Sequence, residues 1–165
     1  MSTASGRVPA VKRRVLFLDV DGVLHRAQEP GELTIATAGL EELRSVRPDL
    51  FGWIPHLTQA LAGHPCDVVV HSSWRRYAPD AVLRDCLGGL GERFVGSSPR
   101  ELTRELSVLR TAEIFGLGPT DYLVLDDHAP AFGSLKDRLV VCDPARGVSD
   151  PTVAAEVLAW LRGER

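Results

Sequence analysis

The sequence predicts an α/β fold: a single doubly wound, Rossmann-like domain around a central, mostly parallel sheet. Short apolar runs of strand length recur along the chain, and segments of helical periodicity separate them. Three of the runs end in polar or acidic residues. Strands alternating with helices are the pattern of stacked βαβ units.

The first run, Val15-Leu16-Phe17-Leu18, is continuous and apolar and ends at Asp19. Such runs suit strands covered on both faces. Asp67-Val68-Val69-Val70-His71 and Tyr122-Leu123-Val124-Leu125 share the form, and Arg138-Leu139-Val140-Val141-Cys142 ends at Asp143-Pro144. Residues 50–62 place Leu50, Trp53, Ile54, Leu57 and Leu61 near one helical face, with Asp49 as N-cap. Helices are also expected over 80–90, about 100–116 and 151–162. The stretch from His25 to Asp49 is the least regular and reads as a flap after the first strand, with a short helix over Leu40–Val46. Residues 1–12 are small, polar and aperiodic, the signature of a flexible tail, which leaves 13–165 for the domain.

Composition narrows the function classes. At 165 residues with 44% hydrophobic and 25% charged residues, the chain has the make-up of an ordinary globular protein. A net charge of −3 argues against nucleic-acid binding through overall charge, leaving Lys12-Arg13-Arg14 and Arg75-Arg76 as local basic patches. No run approaches the roughly 20 apolar residues of a membrane span. Cys66, Cys86 and Cys142 follow no metal or redox spacing, and a reducing cytoplasm is expected.

The expected strand ends carry the chemistry. In an open parallel sheet, ligands bind at the carboxyl ends of the strands. There the chain places Asp19-Val20-Asp21-Gly22, Ser72-Ser73-Trp74-Arg75 and Asp126-Asp127-His128. Up to four carboxylates in one crevice need a cation or raised pKa values. Magnesium suits them, since it takes hard oxygen ligands and shares them with phosphate. One aspartate then attacks phosphorus, and a second, two residues along, protonates the leaving oxygen and later activates water. Gly22 supplies backbone freedom for the turn between them.

The segment Val15 to Leu24 resembles the first motif of the haloacid dehalogenase superfamily, which implies Asp19 as nucleophile and Asp21 as acid/base. Val68 to Ser73 is similar to the second motif, implying Ser72 as the phosphoryl contact with Ser73 in reserve. Leu123 to Asp127 resembles the fourth, whose register implies Asp127 as direct magnesium ligand and Asp126 as its helper, beside Asp19 and Asp21. The third motif departs from the family, because no lysine lies between Lys12 and Lys136. An arginine must substitute, from among Arg110, Arg104 and Arg100. Arg110 is favoured, since Arg110 to Ile114 opens a helical turn leading to the acidic strand, and Arg75 is placed to share the role. The likeness is closest to small cap-less members, including the phosphatase-like domain of multidomain RNA-repair proteins. It implies a minimal cap and an open site, for a phosphorylated small molecule or a nucleic-acid end.

Each motif also has a plainer reading. Asp-x-Asp-Gly can be a surface turn, Asp126-Asp127 and Ser72-Ser73 can be helix caps, and Arg110 a solvated ion pair. His71 reads as a core residue; His25 and His128 lie near strand ends, where substrate contact is the lesser of their two readings, and Trp74 reads as pocket lining or packing. The functional alternative is a phosphate- or metal-binding module that kept the fold and lost turnover. A response-regulator receiver domain fails on the order of its acidic motifs.

Overall fold

The computed structural model describes residues 12–165, so the tail expected over residues 1–12 lies, apart from Lys12, outside the described residues. Five strands form the sheet: β1 (Val15–Leu18), β2 (Asp67–Val70), β3 (Phe94–Ser97), β4 (Tyr122–Asp126) and β5 (Leu139–Val141). They run parallel in the order β3-β2-β1-β4-β5. The sequence anticipates four of them. The missed one, β3, is a short edge strand holding Gly96 and a half-exposed Val95, so it carries little apolar periodicity.

Alternation along the strands sorts the core into two layers. Leu16, Leu18, Val68 and Val70 face one side, with α1 (Ile35–Val46), α2 (Ile54–Ala60), α3 (Asp80–Cys86) and α5 (Pro151–Leu161). Val15, Phe17, Val69 and Val124 face the other, against α4 (Arg104–Ile114) and the segment around Phe132 and Leu135. Both faces are covered, which accounts for unbroken apolar strands.

Helix ends differ from expectation in instructive ways. α2 begins at Ile54 rather than residue 50, because Phe51 has a left-handed backbone with φ 57°, and Asp49 pairs with Arg47 at 2.6 Å instead of capping. α1 starts earlier than expected, capped by Thr34 and kinked at Gly39, whose φ is 75°. Thr103 caps α4, accepting from the N–H of Leu106, and Asp150 caps α5. Among the described residues no helix is long and apolar enough to cross a membrane.

β1 lies between β2 and β4, so connections leave it in opposite directions. The carboxyl ends of β1 and β4 therefore border the crevice at which such sheets bind ligands.

Candidate active site

β1 delivers Asp19 to that crevice. Its backbone N–H extends the ladder to the carbonyl of Leu125 (3.0 Å), after which Val23 and Leu24 donate back to the carbonyl of Val20, closing a tight turn. Gly22 sits in this turn with φ +76°, and a Cβ there would fall 2.3 Å from Oδ2 of Asp127. Glycine is required on both counts: the left-handed conformation and the close approach of the β4 loop.

Asp19, Asp126 and Asp127 each present an oxygen within 4.8 Å of the others. Burial, and then the charge of Asp126, pushes the Asp19 carboxyl up to about 6, against the opposing pull of Arg104 and His71. Asp127 is also raised, by burial and by Asp126. Asp126 goes the other way. Burial opposes its ionisation, but the hydrogen bond and charge of His71, the charge of Arg104 and the N–H of His128 outweigh that and hold it below the usual range. Its oxygens are accordingly occupied: His71 Nε2 lies 2.8 Å away, Arg104 Nη1 2.9 Å and the His128 N–H 2.8 Å. Asp126 is an anchor, whereas Asp127 faces the cleft. Of the three crowded carboxylates, Asp19 and Asp127 carry a charge that is unfavourable as they stand, and their oxygens fit a hard divalent cation.

The arginine in the cluster is Arg104. Its Nη1 donates to Oδ2 of Asp19 (3.0 Å) and to both oxygens of Asp126 (3.0 and 2.9 Å). Arg110, favoured from the sequence, lies elsewhere: it is exposed, pairs with Glu113 at 2.6 Å, and borders a separate groove with Leu106 and Leu109. The reason is geometric. A helix that follows a parallel strand starts at the sheet's carboxyl edge and runs away from it. Arg104 is the first residue of α4, and Arg110, six residues on, stands about 9 Å farther along the axis.

The Ser72-Ser73 pair divides its work. Ser72 is fully buried, its hydroxyl accepting from the N–H of Trp74 as cap of a 3-10 turn (Ser73–Arg76), while Ser73 lines the cleft. Arg75 does not line it. Its guanidinium donates to the carbonyls of His71 and Ser72 and to the hydroxyl of Ser107 (3.2 Å), tying the β2 loop to α4.

Asp21 stands on the opposite wall. His25 Nε2 lies 2.9 Å from its Oδ1, and Trp74 Nε1 donates to its Oδ2 at 2.9 Å. Both partners are fully buried, so Trp74 takes the packing role of the two open to it, and His25 meets the cleft only through Asp21. His71 is a core residue as expected, yet bonded to Asp126, and its Nδ1 has no partner. His128 does border the cleft.

These walls enclose an open cleft of about 400 Å³, lined by Asp19, Asp21, Ser73, Arg104, Asp127 and His128 and rimmed by Ala27 and Gln28. The rim belongs to a loop pinned by Arg26, which forms a two-pronged pair with Glu32 (2.7 Å each). The flap adds no separate lid; beyond the loop it folds back as α1.

No curated protein matches the chain. One family model does, over residues 15–153, and its description is the HAD domain in Swiss Army Knife RNA repair proteins, HAD denoting the haloacid dehalogenase superfamily. That span runs from the first residue of β1 into α5 and takes in both acidic motifs, so the chain belongs to this family of HAD domains.

Proposed function

We propose that this domain is a magnesium-dependent phosphomonoester hydrolase working through an aspartyl-phosphate on Asp19, with a nucleotide or a nucleic-acid terminal phosphate as substrate. The observation that carries the reading is the position of Arg104, a cation bridging the candidate nucleophile and the carboxylate that anchors the cluster. Family membership supports phosphatase-type chemistry, and the family's RNA-repair setting supports a nucleic-acid phosphate.

Asp19 and Asp127 are the residues that would hold magnesium, with Asp126 orienting Arg104 rather than ligating. Bound there, the ion supplies the positive charge that offsets repulsion between a carboxylate nucleophile and an anionic phosphoryl group. A carboxylate oxygen of Asp19 attacks phosphorus, the bond from phosphorus to the leaving oxygen breaks, and Asp21 gives that oxygen its proton. Water then attacks the phosphorus of the aspartyl-phosphate while the Asp21 carboxylate takes its proton. Inorganic phosphate departs, and both aspartates return to their starting forms. The planar guanidinium of Arg104 and the hydroxyl of Ser73, which line the cleft, would grip phosphoryl oxygens. An open cleft without a separate lid suits a substrate larger than a lone metabolite.

Phosphate release from an aryl phosphate, with and without magnesium, tests the reading. Release that needs magnesium and vanishes in Asp19→Asn is the expected result. Activity retained by Asp19→Asn contradicts it.

A further inference from the structure

We infer that His25 and Trp74 are positioning residues for Asp21, and that the backbone of Phe51 selects the histidine tautomer on which this depends. The inference rests on the reading of Asp21 as the acid/base, and adds how that group is aimed.

The chain of contacts begins at Phe51, the only non-glycine residue with positive φ among the described residues, at 57°. Its N–H donates to Nδ1 of His25 at 3.1 Å. A neutral imidazole whose Nδ1 accepts must carry its proton on Nε2. The proton on Nε2 then points to Oδ1 of Asp21, 2.9 Å away. On the other side the indole of Trp74, which can only donate, meets Oδ2 at 2.9 Å. Each carboxylate oxygen thus has its own N–H, and rotation of the Asp21 side chain breaks one bond or both. Each oxygen still keeps a lone pair for the proton it exchanges with substrate.

The donors themselves cannot shift. His25 and Trp74 are both fully buried. The rings of His25, Phe51 and Trp74 pack edge to face, with centroids 5.1 to 5.8 Å apart. Backbone strain that survives at such a place is held by its surroundings and commonly serves a site. Here it turns the Phe51 N–H towards a ring nitrogen. Neither His25 nor Trp74 lines the cleft, so both act through Asp21 alone.

Trp74→Phe removes the indole N–H while keeping an aromatic ring, and it is read as kcat/KM on two substrates. This constant reports steps up to departure of the leaving group, where proton donation matters for an alkoxide but hardly for an acidic phenol. The expected result is a loss of about 10- to 100-fold on a nucleoside monophosphate, as for a misaligned catalytic group, with less than about threefold on an aryl phosphate. Asp21→Asn shows the same split, larger. Equal losses on both substrates in Trp74→Phe, or no loss, overturn the positioning role while the split in Asp21→Asn stands. Equal losses in Asp21→Asn overturn the acid reading itself, and the positioning role with it.

Proton–nitrogen NMR of the unaltered protein gives a second measurement that needs no refolded variant at His25 or Trp74. The expected spectrum has His25 protonated on Nε2, with that signal and the Trp74 indole signal both moving in Asp21→Asn. A proton on Nδ1, or an indole signal that stays in place, overturns the inference.

Discussion

Arg104 and Asp19, 85 residues apart in sequence, meet at 3.0 Å across the crevice, with the same guanidinium nitrogen also on Asp126. Burial works against the charge on Arg104, but Asp19 and Asp126 outweigh it and hold the group still more firmly protonated. On the proposed mechanism this fixed cation faces the charge that develops on the phosphoryl group and so acts in the transition state. Arg104→Ala is therefore expected to cost about 10²–10³ in kcat, and Arg104→Lys to recover part of it. Arg110→Ala, which removes only an exposed ion pair, leaves kinetics unchanged. Steady-state rates of the three variants check this.

The two neighbouring aspartates of β4 are expected to fail in opposite ways. Asp126→Ala strips the partner from buried His71 and from Arg104, at a cost on the order of 3 kcal/mol of stability. Asp127→Asn removes a carboxyl whose charge is unfavourable where it sits, so stability of the metal-free protein holds or rises slightly. Stabilisation by magnesium disappears with it. Denaturant unfolding of each variant, with and without magnesium, separates the two.

Gly22→Ala places a methyl 2.3 Å from an oxygen of Asp127 and a side chain at φ +76°. The conformation alone costs about 1–2 kcal/mol. The larger effect is on Asp127, which must move, so magnesium affinity should fall more than stability does. Magnesium titration followed by thermal unfolding measures both.

The flap loop is expected to respond to acid. The Arg26 hydrogen bond, and then the Glu29 N–H, hold the Glu32 carboxyl down to about 2 from an ordinary 4.5. A depressed carboxyl stabilises the loop at pH above 4.5, and that contribution is lost as pH falls towards 2. Both partners are partly exposed, so salt weakens the pair. An NMR titration of Glu32 should give a midpoint well below 4.5 in the intact protein and a clearly higher one in Arg26→Ala, still held below 4.5 by the Glu29 N–H.

Much of this architecture was legible in the chain, and the gaps have physical causes. Four strands are recognisable because strands buried on both faces must be apolar throughout, as in Val68-Val69-Val70. β3 is not, since an edge strand with Gly96 needs no such run. The helical turn leading to the acidic strand favours Arg110, but it is the end of α4 far from the crevice. The capping signal of Thr103 before Arg104 was the available clue, because the first turn after a parallel strand faces the crevice. Asp19, Asp21, Asp126 and Asp127 were readable as strand-end residues. The buried contacts of His25 and Trp74 were not, because they depend on Phe51, 26 residues from His25, with its backbone in a conformation no sequence pattern marks.

A covalent phosphoryl group on Asp19 is the intermediate on which the proposed hydrolysis depends, and it can be trapped. Asp21→Asn, mixed with magnesium and an aryl phosphate, should form the aspartyl-phosphate without needing an acid and then hydrolyse it slowly for want of a base. After quenching, borohydride reduces an acyl phosphate to an alcohol, and mass spectrometry of the peptide spanning β1 locates the product. Asp19, and no other carboxylate, is expected to be converted to homoserine, dependent on substrate and magnesium. Turnover of the aryl phosphate with Asp19 unmodified, or conversion at Asp126 or Asp127 instead, would contradict this mechanism.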